Sequence, residues 1–113
     1  MFKKSDLVKL ELILKYIRDI QIIVDKHGSV ENTLSDTEGE YAIMMCITQI
    51  GEAVNKIEDE NIQAKLPGSK IIGLRNRIVH GYEGIDCKII SETIKRHIPD
   101  LKIIVESLLG NTR

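Results

Sequence analysis

Apolar residues in this chain recur at intervals of three and four and nowhere alternate with polar ones. Ile43, Ile47, Ile50, Val54 and Ile57 step by four, three, four and three, the repeat that lines the seam of one helix packed against another. Upstream, Leu7, Leu10, Leu14, Ile17, Ile20 and Val24 do the same, with Lys9, Glu11, Lys15, Arg18 and Asp19 on the wet side. Ile13, Ile22 and Ile23 widen that stripe, which predicts burial on two sides. Each stripe needs a partner helix, so this pattern dictates helices layered on helices.

Turn residues divide the pattern into segments. The first helix is expected over 5–26, stopped by Gly28. Residues 29–40 are polar and read as a connection. Asp36 is the expected N-cap of a second helix running to about Asp59. Residues 61–68 read as a linker broken by Pro67. Ser69 would then cap a helix over 70–80 that ends at Gly81. After the turn Glu83-Gly84-Ile85, Asp86 caps a fourth helix to about His97. Pro99 suits the first turn of a fifth, which buries Leu101, Ile104, Val105 and Leu108 and stops at Gly110. The expectation is an all-α antiparallel bundle of four to five helices forming one domain over 1–113. Its 113 residues suffice for a core without metal or disulfide.

Several functional classes are excluded on the same reading. No run approaches the roughly 18 consecutive apolar residues of a membrane span, and Lys9, Glu11 and Lys15 interrupt the apolar run a signal peptide would need. Cys46 and Cys87 lack paired spacing and lie among apolar neighbours, as expected of reduced, partly buried thiols in a cytoplasmic protein. His27, His80 and His97 have no companions at ligand spacing, so no metal site is expected. There is no glycine-rich phosphate loop, and no cofactor is implied.

Chemistry concentrates in Leu74-Arg75-Asn76-Arg77-Ile78-Val79-His80-Gly81-Tyr82. On a helix, Asn76 and His80 share a face and Arg77 nearly does, whereas Arg75 lies about 140° around the axis from His80. Ile71, Leu74 and Ile78 form the opposite, packing stripe. Each polar residue alone has an ordinary explanation. The arginines can complement the helix dipole, His80 can be a surface residue, and Tyr82 can be a packing ring with a wet hydroxyl. The net charge of −1 gives no global nucleic-acid footprint, yet charge is segregated. Between Glu31 and Glu60 Lys56 is the only basic residue among eight acids, and over 61–82 the ionised residues are Lys65, Lys70, Arg75 and Arg77, all positive. That pattern fits either a local phosphate-recruiting patch or a basic helix lying beside an acidic one.

Arg75-Asn76-x-x-x-His80-x-Tyr82 resembles the Arg-x-x-x-x-His-x-Tyr signature of the HepT-like branch of the HEPN superfamily, small all-helical prokaryotic proteins. Ile50-Gly51-Glu52-Ala53 is similar to a recurrent upstream helix segment of that family, and Ile85-Asp86 to the residues just after its motif. One departure stands out: Gly68 occupies the place where the family commonly has a tryptophan after proline. The resemblance implies a metal-independent endoribonuclease toxin that acts on RNA as a homodimer. In it Arg75 clamps phosphate, His80 transfers protons, and Asn76 orients substrate or imidazole. It also implies a nucleotidyltransferase antitoxin (of the MntA kind) that neutralises the toxin by AMPylation of Tyr82. Glu52 either faces the motif helix and holds Arg75 or Arg77, or is a solvated carboxylate. The other reading left open is a catalytically silent HEPN module that docks a nucleotidyltransferase.

Overall fold

A computed structural model describes residues 3–81 and 85–110. Its described helices are α1 (Lys4–His27), α2 (Val30–Ser35), α3 (Thr37–Asn55), α4 (Glu60–Lys65), α5 (Ser69–Gly81), α6 (Cys87–Glu92) and α7 (Ile98–Gly110), with a π-turn over Thr93–His97 joining the last two. No strand occurs among the described residues, so the all-α bundle expected from the spacing is what forms. None of these helices is long and apolar enough to cross a membrane.

The seam residues are the centre of the core. Ile43, Ile47, Ile50 and Val54 are fully buried, as are Leu10 and Ile13 from α1. α3 packs along α1 on one side and α5 on the other, and α7 closes against α1. Ile71 of α5, Ile90 of α6, and Leu101 and Val105 of α7 complete the interior. At about 25 cal/mol per Å² of apolar surface removed from water, this burial is the main stabilising term.

Where the chain is polar, side chains rather than apolar spacing decide the structure, and there the segment boundaries shift. α1 ends at Gly28, whose φ of 92° carries the chain out of the helix. Residues 30–35, read as connection, form α2: the Ser29 hydroxyl accepts from Asn32 N at 3.0 Å. Asp36 caps α3 as expected, accepting from Gly39 N at 2.8 Å. α3 stops at Asn55, short of Asp59, because Asp6 of α1 binds the chain just beyond it. The Asp6 carboxylate is fully buried and accepts from Glu58 N at 2.9 Å and Asp59 N at 3.0 Å. Asp59 in turn caps α4, accepting from Asn61 N and Ile62 N, so a helix stands in part of the expected linker. The fourth and fifth helices expected from the sequence are one continuous rod. Pro99 has no N–H to offer the Lys95 carbonyl, and the chain widens just before it, with Ile98 N bonding to Thr93 O across five residues.

Candidate functional site

The site is organised by the close approach of α3 and α5. A Cβ on Gly51 would lie 2.6 Å from Arg75 Cβ and 2.9 Å from its Cγ, so only glycine lets the Arg75 stem cross α3 at this level. Gly68 is equally confined: a Cβ there would sit 2.5 Å from Val54 Cγ1. Any side chain at this position would therefore press on Val54 of α3 beneath the motif helix. Gly68 O accepts from Ile72 N at 2.8 Å, which makes Gly68 the residue that opens α5 and puts Ser69 in the first turn instead of at the cap. Ile71 and Leu74 are buried and Ile78 is half-buried, as the predicted packing stripe requires.

Arg75 is held from two sides. Its Nη2 pairs with Glu52 Oε1, and its Nη1 donates to Asn76 Oδ1 at 2.8 Å. The Arg75 side chain is 24% exposed and that of Glu52 27%, so the pair lies at the edge of the core, neither dry nor fully wet. Glu52 Oε2 is also 3.4 Å from Lys56 Nζ. Arg75 Nε is buried with no hydrogen-bond partner among the described residues. Of the two roles open to Glu52, the structure selects the one facing the motif helix. It selects Arg75, not Arg77, as the partner.

The imidazole lies on a different face. His80 is exposed and lines an open hollow with Asn76, Arg77, Gly81 and Ile85. The face shared by Asn76, Arg77 and His80 is the one helical spacing predicts. Arg75 does not line this hollow. Asn76 is the link between the two sets, since it receives Arg75 and borders the space in front of His80. Arg77 has no acidic partner among the described residues. Tyr82 lies outside the described residues, as do Glu83 and Gly84.

Another part of the α3 and α5 surface is apolar. Tyr41, Met45 and Val79 are all about half exposed, and a shallow depression between α3 and α5 is lined by Tyr41, Met44, Met45 and Ile78. The thiols differ from the expected pair of partly buried groups. Cys46 is buried, and burial pushes its thiol up to about 11, whereas Cys87 is exposed. Cys87 opens α6 one residue after its cap Asp86, a position that points away from the core.

Comparison with known proteins agrees with this architecture. The family model described as "Ribonuclease HepT-like" matches residues 13–108. Two proteins of Methanocaldococcus jannaschii, each named "Putative RNase", are both 34% identical over 100 residues, covering 86% of this chain and 81% and 84% of their own lengths. A protein of Thermococcus cleftensis named "Probable ribonuclease HepT" is 28% identical over 101 residues, covering 88% of this chain and 84% of its own. No solved structure matches the chain significantly. With nearly the whole helical core inside the matched range, the chain belongs to the ribonuclease HepT-like family of HEPN proteins.

Proposed function

We propose that this protein is a metal-independent endoribonuclease toxin whose site is completed by a second copy of the chain. The observation that carries the reading is Asn76, which accepts from the Arg75 guanidinium while bordering the hollow in front of His80. A phosphodiester in that hollow meets an imidazole, an amide and Arg77, which has no acidic partner among the described residues, with Arg75 held by Asn76.

Cleavage begins when a base takes the 2′-hydroxyl proton of the RNA. The 2′-oxygen then attacks phosphorus, and the 5′-oxygen leaves with a proton from an acid. The products are a cyclic phosphate and a 5′-hydroxyl. Histidine suits both proton transfers because its ordinary pKa, about 6.5, lies near working pH. A guanidinium supplies permanent charge and a planar fork for two phosphate oxygens as charge builds in the transition state. One imidazole cannot serve both ends of an in-line displacement, so the second His80 comes from a partner protomer. The exposed apolar surface of Tyr41, Met45, Ile78 and Val79 is the proposed seam for that pairing. Family membership and the RNase names of its relatives support this reading.

Tyr82 is the proposed point of control. In AMPylation by a nucleotidyltransferase antitoxin, the Tyr82 oxygen attacks the α-phosphorus of ATP, pyrophosphate leaves and the phenolic proton is released. The added phosphodiester, two residues beyond His80, competes with RNA for the same cations. The second reading, a silent module that docks a nucleotidyltransferase, is favoured by one feature: Glu52 already occupies Arg75.

The test is incubation of the protein with single-stranded RNA in EDTA beside His80→Ala. Cleavage should persist in the chelator and fall by about 10²–10⁴ in the variant. Cleavage that needs metal, or survives in His80→Ala, sinks the mechanism. Toxicity on expression that Arg75→Ala does not relieve favours the silent module. Intact mass after co-expression with the nucleotidyltransferase reads the AMP on Tyr82 directly.

A further inference from the structure

The hollow at His80 is not the end of the chemically equipped surface. A second groove runs along α5 on the side facing α6 and the π-turn, and the two share Arg77. From α5 this groove receives Lys70, Gly73 and Arg77; from the π-turn it receives Arg96 and His97. Neither Lys70 nor Arg77 has an acidic partner among the described residues. Glu92 and Asp100 also border the groove, with Glu92 Oε1 3.5 Å from Arg96 Nη1. Gly73 stands between the two α5 cations, and a Cβ placed on it meets nothing within 4 Å. The groove is thus open at Gly73, between Lys70 and Arg77.

We infer that this groove is a track for the phosphodiester backbone of the RNA strand flanking the cleaved bond, leading from the His80 hollow through Arg77 to Lys70 and Arg96. Lys70 and His80 are separated by about 15 Å along α5 at 1.5 Å per residue, the length of a few nucleotides of extended strand. Single-stranded RNA is the occupant that matches on two counts. Its repeating anionic charge matches cations set along a line, and the space left open at Gly73 lets a backbone pass between them. The π-turn contributes by swinging Arg96 and His97 to the α5 side, out of the register a regular helix would give them. This inference rests on the ribonuclease reading for the identity of the strand, but its test separates the two.

Gly73 provides the test, since substituents there enter the groove without touching the core. Binding of a fluorescent single-stranded RNA of about twenty nucleotides is measured in a His80→Ala background, with Gly73→Glu, Gly73→Lys and Lys70→Ala added. Gly73→Glu should weaken binding by about tenfold or more and Gly73→Lys should preserve or tighten it. Lys70→Ala should weaken it by about threefold and reduce the slope of log K against log salt by about 0.7, the signature of one lost phosphate contact on a single strand. With His80 intact, Gly73→Glu should slow cleavage of the long RNA but spare a dinucleoside substrate that reaches only the His80 hollow. Thermal melts should show no loss of stability in any variant, the Gly73 variants melting at or slightly above the parent. Wild-type affinity in Gly73→Glu overturns the track, and so does equal weakening by glutamate and lysine, which would mean bulk rather than charge is sensed. Loss of an acidic partner protein from Gly73→Glu with RNA affinity intact overturns it too. If the wild type cleaves neither substrate while the charge-dependent binding effects appear, the groove stands and the ribonuclease reading falls.

Discussion

The Glu52–Arg75 pair invites a double-mutant cycle, because among the described residues it is the ion pair that joins the α3 seam to the motif helix. Both side chains are about three-quarters buried. Exposed pairs contribute roughly 0–1 kcal/mol, while breaking a fully buried pair costs about 3–5 kcal/mol because a charge is stranded. The geometry here is intermediate. Glu52 retains Lys56 at 3.4 Å as a second partner, and Arg75 retains Asn76, so each survivor of a single substitution keeps part of its environment. A coupling energy of about 1–2 kcal/mol is therefore expected between Glu52→Gln and Arg75→Gln. Each single variant should also lose about 1–2 kcal/mol. Urea denaturation is the suitable assay, since guanidinium chloride would screen the interaction, and equal m-values across the four proteins are needed for the comparison. A coupling below about 0.3 kcal/mol, the usual scatter for independent sites, would refute the claim that Glu52 fixes Arg75. In RNA cleavage, Glu52→Gln should act through Arg75: the effect should be large when Arg75 is present and absent in the Arg75→Gln background.

Other expectations rest on single contacts. Asp6→Asn puts an amide where a fully buried carboxylate accepts two backbone N–H groups; at about 1.5–3 kcal/mol for a bond to a charged group the loss should be about 2–4 kcal/mol, and a loss under 1 kcal/mol in urea melts would contradict that reasoning. Gly51→Ala and Gly73→Ala should differ in sign: the first forces a methyl to 2.6 Å from Arg75 Cβ and should cost about 1–2 kcal/mol net of helix propensity, while the second meets nothing within 4 Å and should gain about 0.5–1 kcal/mol. The Asp36 carboxyl titrates below its ordinary value, first because it accepts from Gly39 N and then because His27 lies beside it. Its contribution to stability is complete above the unfolded-state carboxylate pKa, near 3.9, and is lost as pH falls through the lower folded value. The stability gap between wild type and Asp36→Asn should thus be constant at neutral pH and close in acid, and a gap that widens below pH 4 would rule this out.

What the sequence reveals depends on which force shapes each segment. The interiors of α1, α3 and α5 were legible because burial imposes a period that survives in the order of residues, and Ile43, Ile47, Ile50 and Val54 are as buried as their spacing demands. α2 and α4 were not legible, because single polar contacts hold them. Ser29 caps one, and Asp6, more than fifty positions away, fixes the chain ahead of the other. A carboxylate acting across such a separation leaves no periodic trace. Pro99 misled for a related reason: proline signals a break, but one extra residue in the preceding turn absorbs its missing donor. At the site, spacing correctly grouped Asn76, Arg77 and His80. It could not choose between solvent and Arg75 for Glu52, since that choice depends on how closely Gly51 lets α5 approach.

The same geometry bears on how a chain with a net charge of −1 would carry out the proposed action on a polyanion. Summed charge governs long-range steering, but the field at a groove depends on which charges remain unpaired there. Several acids of the central stretch are engaged locally: Asp36 and Asp59 cap helices, Glu52 pairs with Arg75 and Glu58 with Lys3. Glu31 pairs with Lys95 on the far side of α6. Along α5, Lys70 and Arg77 are left without acidic partners among the described residues. A neutral molecule thereby carries two cations along α5 with no acidic partner among the described residues, in a groove that Glu92 and Asp100 also border. Arg75 differs from those two in being paired with Glu52 and set behind Asn76, so on the proposed reading it can reach a phosphate only by sharing its fork between Glu52 and the substrate. That makes its contribution depend on geometry more than on charge. Arg75→Lys, which keeps the charge but cannot span Glu52, Asn76 and a phosphate at once, should therefore be nearly as damaging to cleavage as Arg75→Ala, whereas Arg77→Lys should be mild. If lysine restores activity at position 75, the guanidinium fork is not what the site uses.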